Sequence, residues 1–331
     1  NLNQNTHYLL LKRFLNINYD YSSRIQRFTK VVNLVLAKAI IVDADIYHIH
    51  DPELLRIVPK LKRLNKKIIY DVHEDLPRQI LSKPWINITI RKVIANFVEW
   101  YENKISKKCD GIIAATPFIR DRFLKLNNNT IDINNFPIIE ELLLDMEYSK
   151  KADNNICYVG GITKIRGIKE IVKSIESLDV KLLLAGDFLE NTLKEETALL
   201  DGWSKVEELG FVDRKQVKEI YEKSKLGLVT LHPVINYIDS LPVKMFEYMA
   251  AGIPVVASNF PLWKGLVEKN QCGICADPLD PKEIGEAIKY LLENPMKAKI
   301  MGKNGQKIVQ EKYNWSNEEK KMLNFYSKII E

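Results

Sequence analysis

Strand-like apolar runs alternate with helical patterns along most of the chain. A run such as 155–159 is short and apolar, whereas the stretches between runs carry apolar residues at helical spacing. This alternation is typical of βαβ units, and it therefore predicts an α/β fold with parallel sheets. Predicted strands lie at 45–50, 67–72 and 111–115 in the first half, and begin at residues 155, 180, 206, 226, 253 and 273 in the second half.

A polar interruption divides this pattern into two Rossmann-like halves. Asparagines, charged residues and a proline break the periodicity between 134 and 155, as a linker between domains does. We expect a first domain at 1–150, a second domain at 151–312 and a last helix within 313–331. Other helices are predicted near 53–64, 87–108 and from 117, and near 167–178, 190–202, 214–224, 242–251, 261–268 and 281–293.

Composition fits a globular protein of two domains. The chain has 331 residues, of which 46% are hydrophobic and 28% charged, and it shows no apolar run of about 18 residues that would span a bilayer. Its start shows no secretion signal. The spacing of Cys272 and Cys275 fits zinc only weakly, because no second pair accompanies it, and a buried strand is favoured. A reduced, cytoplasmic protein is expected.

Positive charge is concentrated in the first half of the chain. Residues 1–150 carry 23 Lys and Arg against 17 Asp and Glu, whereas the remainder is balanced. The basic clusters could attract the inner face of a membrane or an anionic acceptor, although solvated helix faces are the simpler interpretation. The loop around Trp85 could face the acceptor or the membrane as well, although a local packing anchor is the simpler interpretation there. Nucleic acid is not expected, because no aromatic residues are interleaved for stacking. The clusters lie at 60–63, 66–67, 91–92 and 104–108.

The segment 239–258 has the pattern of a turn, a short helix and a strand. Pro242 suits a first helical turn because it lacks the N–H that would be unpaired there, and Gly252 suits the left-handed position that ends the helix. Backbone N–H groups near Leu241 and Val243 would then point at whatever lies before the helix, where the helix dipole favours an anion. A diphosphate fits this description.

The same segment carries a resemblance to a known family. Asp239, seven further residues and Glu247, followed by Tyr-Met-Ala-Ala-Gly-Ile-Pro-Val-Val-Ala-Ser, resemble the E-x7-E signature of retaining glycosyltransferases of family 4, with Asp in place of the first Glu. The family has the GT-B fold of two Rossmann-like domains that face a cleft. In that fold a last helix crosses back, so the resemblance implies that the helix within 313–331 packs on the first domain. The resemblance implies that Asp239 contacts the donor sugar and that Glu247 binds the ribose hydroxyls. Ser240, Leu241 and Val243, at the helix start between them, are expected to bind the nucleotide sugar as well.

A glycine turn opens the second domain at 158–167. Alone, such a turn is usually only a tight connection, but it stands where the resembled family has its phosphate loop. That family has an Arg after the first glycine and a Lys before the last, whereas this chain has Gly161 and Arg166 at those positions. The resemblance assigns Gly160, Gly161 and Arg166 to the diphosphate. Lys244 could supply the missing cation, unless it is a solvated helix lysine.

Histidines end two neighbouring predicted strands of the first domain. Ligands of open α/β sheets collect at the carboxyl ends of strands, so His50, His73 and Glu74 are expected at a cleft, although an isolated histidine there is usually structural. The resemblance gives His73 the position that contacts the donor sugar. In the second domain it places the nucleotide base against the backbone of Phe211 and Val212.

The first 110 residues contain no glycine. The resembled fold opens with a strand, a glycine-rich loop and a helix. Residues 1–44 offer instead an apolar run at 8–12 and one helix that begins near Ser22. An incomplete first domain, without its initial βαβ segment, is therefore expected.

Together with the resemblance, these motifs predict a retaining glycosyltransferase that uses a UDP-linked sugar. The expected acceptor is a glycan or a polyprenyl-diphosphate-linked sugar in cell-surface polysaccharide or O-antigen synthesis. The predicted catalytic residues are His73, Asp239, Arg166 and Lys244. No metal or other cofactor is expected, because fixed cations and the helix start would stabilise the leaving diphosphate. Two alternatives remain open: a nucleotide-sugar-binding subunit without catalysis, and a GT-B nucleotide-sugar epimerase.

Overall fold

The protein contains two α/β units, each built on a parallel sheet. The computed structural model describes residues 27–83, 85–143 and 154–331. Every strand pair within these ranges is parallel, which confirms the parallel sheets predicted from the sequence. None of the helices in these ranges is long and apolar enough to cross a bilayer.

The first sheet has four strands in the order β1-β2-β3-β4. Strand β2 carries a run of buried apolar residues and pairs with β1 on one side and β3 on the other. Helices cover both faces, because a parallel sheet must bury both sides. The strands are β1 at Ile46–Ile49, β2 at Lys67–Val72, β3 at Gly111–Ala114 and β4 at Thr130–Asp132.

The second sheet has six strands in the order β10-β9-β8-β5-β6-β7. From β5 the chain first builds outward through β6 and β7, and then continues from β8 on the other side of β5. The neighbouring strands β5 and β8 therefore form the switch point of the sheet, where ligands of open α/β sheets bind. The strands are β5 at Asn155–Val159, β6 at Lys181–Ala185, β7 at Val206–Gly210, β8 at Leu226–Val229, β9 at Val255–Ser258 and β10 at Gly273–Ala276.

The helices begin where the sequence supplies caps. Asp213 and Gln216 form a capping box at one helix start, and the side chain of Asn314 accepts a hydrogen bond from the backbone N–H of Asn317 at another. Within the described residues, the helices of the first unit are α1 at Val32–Val42, α2 at Val58–Arg63, α3 at Leu76–Leu81, α4 at Ile88–Ser106 and α5 at Pro117–Leu124. They are followed by α6 at Ile139–Leu142, α7 at Ile168–Ser174, α8 at Asn191–Ala198, α9 at Arg214–Lys223 and α10 at Val243–Ala250. The last four are α11 at Pro261–Val267, α12 at Pro281–Glu293, α13 at Pro295–Glu311 and α14 at Trp315–Ile330.

The last helix, α14, crosses from the second unit to the first sheet. Its residues Phe325 and Ile329 are buried against Ile69, Ile113 and Ile133. Strand β3 starts with a glycine at this contact, and a Cβ atom at that glycine would lie 2.5 Å from the Cζ atom of Phe325. The missing side chain therefore lets the helix approach the sheet closely.

Two crossings of the chain run side by side between the units. The first is the segment that leads from β4 to α6, and the second is the start of α14. The backbone N–H of Trp315 donates a hydrogen bond of 3.0 Å to the carbonyl oxygen of Pro137. The backbone N–H of Asn134 donates a hydrogen bond of 2.7 Å to Oε2 of Glu318, whose side chain is buried. These bonds tie the two crossings together.

The predicted strands agree with β1 to β3 and β5 to β10 within two residues at their starts. Among the described strands and α-helices, four were not predicted: β4, which has only three residues, α3, α6, which has four residues inside the predicted linker, and α13, which starts at a proline directly after α12. The apolar run at 8–12 and the helix start near Ser22 lie outside the described residues.

Candidate functional site

The candidate site lies at the carboxyl ends of β5 and β8. The glycine turn leaves the end of β5, and the segment that carries the acidic signature leaves the end of β8 and leads into α10. Residues that are far apart in sequence therefore meet at the switch point. The structure brings together Gly160, Gly161 and Arg166 from the turn and Lys244 from the first turn of α10.

Lys244 points into the glycine turn. Its Nζ atom lies 3.6 Å from the ring centroid of Tyr158, a cation–π contact. A Cβ atom at Gly160, which has φ of 126°, would lie 3.1 Å from Nζ. The Nζ atom is buried and has no hydrogen-bond partner within the described ranges. Lys244 is therefore not the solvated helix lysine that the sequence left open.

Burial, and after it the neighbouring charge of Arg166, lower the pKa of Lys244 to about 7, against a smaller opposing effect of Glu247. The charged form of an amine is disfavoured both by desolvation and by a nearby like charge. An anion placed beside Lys244 and Arg166 would raise the pKa of Lys244 again, because it stabilises the charged amine. The electrostatics of the site therefore favour a negatively charged ligand.

Arg166 closes the glycine turn from the other side. Its Nη1 atom donates a hydrogen bond of 2.8 Å to the carbonyl oxygen of Gly161, and the hydroxyl of Tyr158 donates one of 3.0 Å to the same oxygen. A Cβ atom at Gly161 would lie 2.8 Å from Nη1. The position where the resembled family has an arginine is thus a glycine, and the guanidinium of Arg166 lies beside it.

Glu247 lies in the middle of α10 and is held by two side chains. Its Oε1 atom accepts a hydrogen bond of 2.6 Å from Nη1 of Arg214, and its Oε2 atom accepts one of 2.9 Å from the hydroxyl of Tyr221. Arg214 also donates to Oε2 of Glu141 at 3.0 Å. Each carboxylate oxygen keeps further acceptor capacity, so Glu247 is fixed in position and can still receive a ligand hydroxyl.

The segment before α10 is anchored through its backbone. The carbonyl oxygen of Ser240 accepts a hydrogen bond of 2.8 Å from Nε1 of Trp263, and the hydroxyl of Ser240 donates to the carbonyl of Tyr237. Asp239 and Leu241 are partly exposed. The first amides of α10, that of Val243 among them, have no intrahelical partner because they open the helix.

The ends of β6 and β7 complete this edge of the second sheet. The backbone N–H of Gly186, after β6, donates a hydrogen bond of 2.7 Å to the carbonyl of Gly210. A Cβ atom at Gly186 would collide with the carbonyl oxygen of Gly160. Phe211, directly after Gly210, is 80% exposed, and Val212 packs partly against the core.

In the first unit, histidines at the ends of β1 and β2 surround Asp71. The Oδ2 atom of Asp71 lies 3.1 Å from Nε2 of His48 and 3.1 Å from Nδ1 of His50. The Nε2 atom of His73 lies 3.0 Å from Nδ1 of His50. The structure therefore brings His50 and His73 together as the sequence predicted, whereas the side chain of Glu74 turns away and contacts Gln79.

The charges of this histidine cluster are coupled. Burial would raise the pKa of Asp71, but hydrogen bonds from His48 and His50 outweigh it and hold this pKa below its ordinary value. The hydrogen bond to Asp71 raises the pKa of His50 in turn, although burial opposes it. His48 also contacts the hydroxyl of Tyr326 on α14.

Two groups of residues bear on metal binding. Ligand atoms of His48, His50 and Asp71 lie within 4.8 Å of one another and could hold a metal ion, but the same atoms are already hydrogen-bonded to one another. Cys272 and Cys275 belong to no such group within the described residues. Burial raises the pKa of each thiol to about 12.

Sequence reasoning missed several residues of the site. Tyr158, Tyr221 and Arg214 hold the predicted residues in place, and Asp71 and His48 organise the histidines. The only local signal was the position of Asp71 and His48 near the ends of strands. The partners of Glu247 come from α9, and no local pattern points to them.

Solved structures share this architecture. Sucrose-phosphate synthase from Thermosynechococcus elongatus superposes with a TM-score of 0.74 at 20% identity, over 94% of this chain and 80% of that one. HepE from Anabaena, in complex with UDP, superposes with a TM-score of 0.73 at 16% identity, over 90% and 82%. At this identity the likeness shows the fold alone, which is GT-B, as predicted.

Two family models match most of the chain. Residues 145–308 match glycosyl transferases group 1, and residues 4–133 match glycosyltransferase family 4. The chain belongs to the family 4 type of GT-B glycosyltransferases, which confirms the resemblance seen in the sequence.

Curated relatives are distant. The uncharacterized glycosyltransferase MJ1607 of Methanocaldococcus jannaschii is 27% identical over 53% of this chain, and the match spans 45% of that relative's length. The capsular polysaccharide biosynthesis glycosyltransferase CapM of Staphylococcus aureus is 24% identical over 72% of this chain and 67% of its own length.

Proposed function

We propose that this protein is a retaining, metal-independent glycosyltransferase that transfers a hexosyl or N-acetylhexosaminyl group from a UDP-linked sugar. The observation that carries the proposal is the buried Nζ atom of Lys244, which has no hydrogen-bond partner in the described part of the chain and lies beside Gly160 and Arg166. A buried amine without a partner is costly. An anion at the glycine turn would offset that cost, and a diphosphate is the anion that a sugar nucleotide brings.

The two cations and the helix start suit the leaving group. When the bond at the anomeric carbon breaks, negative charge develops on the β-phosphate of the donor. Donors that are fixed before the reaction stabilise such charge without solvent reorganisation. Arg166 is fixed by its hydrogen bond to Gly161, and Lys244 is fixed over the ring of Tyr158. We assign both residues to the β-phosphate, with the amides of Val243 and Lys244.

The remaining predicted residues would position the rest of the donor. Glu247 would receive the ribose hydroxyls, since Arg214 and Tyr221 hold its carboxylate in place. Phe211 and Val212 would flank the base. Asp239, from the second domain, and His73, from the first, would contact the sugar, with Ser240 and Leu241 between the sugar and the diphosphate.

The proposed donor and acceptor draw on the relatives. The solved complex of HepE with UDP supports a uridine nucleotide. CapM is described as acting in capsular polysaccharide biosynthesis, which supports a glycan or a polyprenyl-diphosphate-linked acceptor in cell-surface polysaccharide or O-antigen assembly. We place the reaction in the cytoplasm, at the inner face of the membrane.

The test compares Arg166→Met with Lys164→Met, which changes an exposed lysine of the same turn. UDP should raise the melting temperature of the wild type far more than uridine does. UDP release from a panel of UDP-sugars should fall about 10²–10³-fold in Arg166→Met, because one donor to the developing charge is lost, and should be unchanged in Lys164→Met. NMR of the product should show a retained anomeric configuration.

Other results would select another function. UDP binding without turnover of any donor would identify a nucleotide-sugar-binding subunit. Conversion of the donor without an acceptor into an epimer would identify an epimerase. Equal stabilisation by UDP and by uridine would contradict the diphosphate site itself.

A further inference from the structure

Helix α4 exposes a continuous apolar face. Val93 is 65% exposed, Phe97 63% and Trp100 55%. Together with Ile90 and Ile94, which are also exposed, they recur at spacings of three and four residues and therefore lie on one side of the helix. We call these five residues the outer face of α4.

The opposite side of the same helix is fixed in the first domain. Ala95, Glu102 and Ile105 are buried. The Glu102 carboxylate accepts hydrogen bonds from the hydroxyl of Tyr70 at 2.8 Å and from Nη2 of Arg122. The helix is thus held to the sheet by one side, while none of the described residues covers its outer face. Large contiguous apolar surfaces of this kind mark interaction sites.

Basic residues flank the outer face. The Nζ atom of Lys104 lies 4.9 Å from the ring centroid of Trp100. Lys92, Lys107 and Lys108 are also exposed on the same helix or directly after it, whereas Arg91 is partly buried and donates a hydrogen bond to the carbonyl oxygen of Lys83. The acids of the helix, Glu99 and Glu102, both pair with Arg122 and therefore lie away from the outer face.

An aromatic residue extends the surface beyond the helix start. Trp85 is 72% exposed in the loop that leads into α4. Tryptophan is favoured at the boundary between the headgroups and acyl chains of a bilayer, because its ring is apolar with one polar group. Lysines beside such rings can keep their charge among the headgroups while their stems lie along apolar surface.

We propose that the outer face of α4 docks the protein on the surface of an anionic lipid bilayer. The helix would lie in the plane of the interface, with Phe97 and Trp100 among the acyl chains and the lysines at anionic headgroups. A bilayer fits better than an acidic protein partner, because the apolar residues, the flanking cations and the interfacial tryptophan occur together. The inference extends the proposed function: docking would bring the cleft to a lipid-linked acceptor.

The test is cosedimentation with vesicles of phosphatidylcholine, with and without phosphatidylglycerol. The wild type should pellet with the anionic vesicles and less with the neutral ones, and added salt should weaken binding. The double substitution Phe97→Glu and Trp100→Glu should lower the partition coefficient at least about tenfold, because two large apolar groups leave the interface. The matched control, Leu199→Glu and Ile300→Glu, changes two exposed apolar residues of the second domain and should bind as the wild type does.

Three results would overturn the proposal. One is a wild type that does not pellet with anionic vesicles. Another is a Phe97→Glu/Trp100→Glu variant that binds them as well as the control does. The third is a wild-type dimer, seen by light scattering in the absence of lipid, that the same variant dissociates, since a second copy of this chain would then cover the face. The melting-temperature shift with UDP should be unchanged in this variant, so a failure of lipid docking is distinguishable from a failure of the donor site.

Discussion

Lys244 is the residue at which stability and function oppose each other. Its Nζ atom is buried without a hydrogen-bond partner in the described residues, and the pKa of the side chain is lowered to about 7 by burial and by Arg166. Such an arrangement costs folding free energy in the unliganded protein. We expect a bound diphosphate to pair with this amine and so to offset the cost of its burial.

Replacement of this lysine should therefore separate the two properties. Lys244→Met keeps most of the volume and removes the amine, so we expect the unfolding free energy to rise by about 1–2 kcal/mol. The affinity for UDP should fall at least about tenfold, because a charge-assisted contact is lost. Urea denaturation and calorimetric titration measure the two effects. Lys264→Met, at an exposed lysine of α11, should change neither, and a variant that is less stable than the wild type would contradict this account.

The lowered pKa also predicts a proton linked to UDP binding. Above about pH 7 the free amine is mostly neutral, and a diphosphate beside it would restore the charged form, so binding should take up a proton and weaken as the pH rises. Titrations at pH 8 in two buffers with different ionisation enthalpies would count that proton. Lys244→Met should show no such uptake from this position.

The same shift sets the sign of the stability change without ligand. Between pH 7 and 10.5 the unfolded chain binds the proton of Lys244 and the folded protein has lost it. Stability rises with pH wherever the unfolded state binds more protons. This one residue should therefore make the unliganded protein more stable as the pH rises across that range.

At the scale of the elements, the contact of α14 with β3 depends on the absence of a side chain. The Cβ atom of an alanine at Gly111 would lie 2.5 Å from Cζ and 2.9 Å from Cε1 of Phe325. Neither the strand nor the helix can move freely, because both are buried at this point. Overpacking of this kind is relieved only by strain or by displacement of the helix.

Gly111→Ala should lower the unfolding free energy by about 1–3 kcal/mol. Combined with Phe325→Leu, the substitution should cost less than the sum of the two single changes, since both act on one contact. Gly265→Ala is the matched control: nothing lies within 4 Å of its added Cβ atom, and in the helix α11 it should be neutral or stabilising by about 0.5–1 kcal/mol. Urea denaturation of the four variants tests this, and additive costs would argue against a direct contact.

How far the sequence predicts the structure also differs among the elements. Strands such as β5 and β8 are predicted correctly because they are continuous apolar runs between turn residues. Strand β4 is missed because three residues carry too little pattern, and α13 because no turn separates it from α12. The glycine turn and the acidic signature are predicted as separate motifs, but their meeting depends on the pairing of β5 with β8, which no local pattern encodes. The partners of Asp71 and Glu247 are missed for the same reason.

At the scale of the whole molecule, the two units are joined by the tied pair of crossings. Glu318 is central there, because its carboxylate accepts hydrogen bonds from the backbone and from the side chain of Asn134 and pairs with Lys321. Glu318 and Asn134 are buried, whereas Lys321 is partly exposed. A carboxylate in this position fixes how α14 leaves the second unit.

Glu318→Ala should lower the unfolding free energy by about 1–3 kcal/mol, because the buried N–H of Asn134 would lose its acceptor. Glu319→Ala changes the adjacent, exposed glutamate and should be nearly neutral. Chemical denaturation followed by tryptophan fluorescence measures both. Equal effects of the two substitutions would show that the crossing does not depend on Glu318.

The pairing of these crossings limits how the cleft between the units can work. A single connection would permit rotation of one unit about any axis. Two adjacent connections that are hydrogen-bonded to each other restrict the motion to a hinge about one axis. We expect the two units to rotate about that one axis, so that closure of the cleft brings a sugar nucleotide bound to the second unit to the histidines of the first.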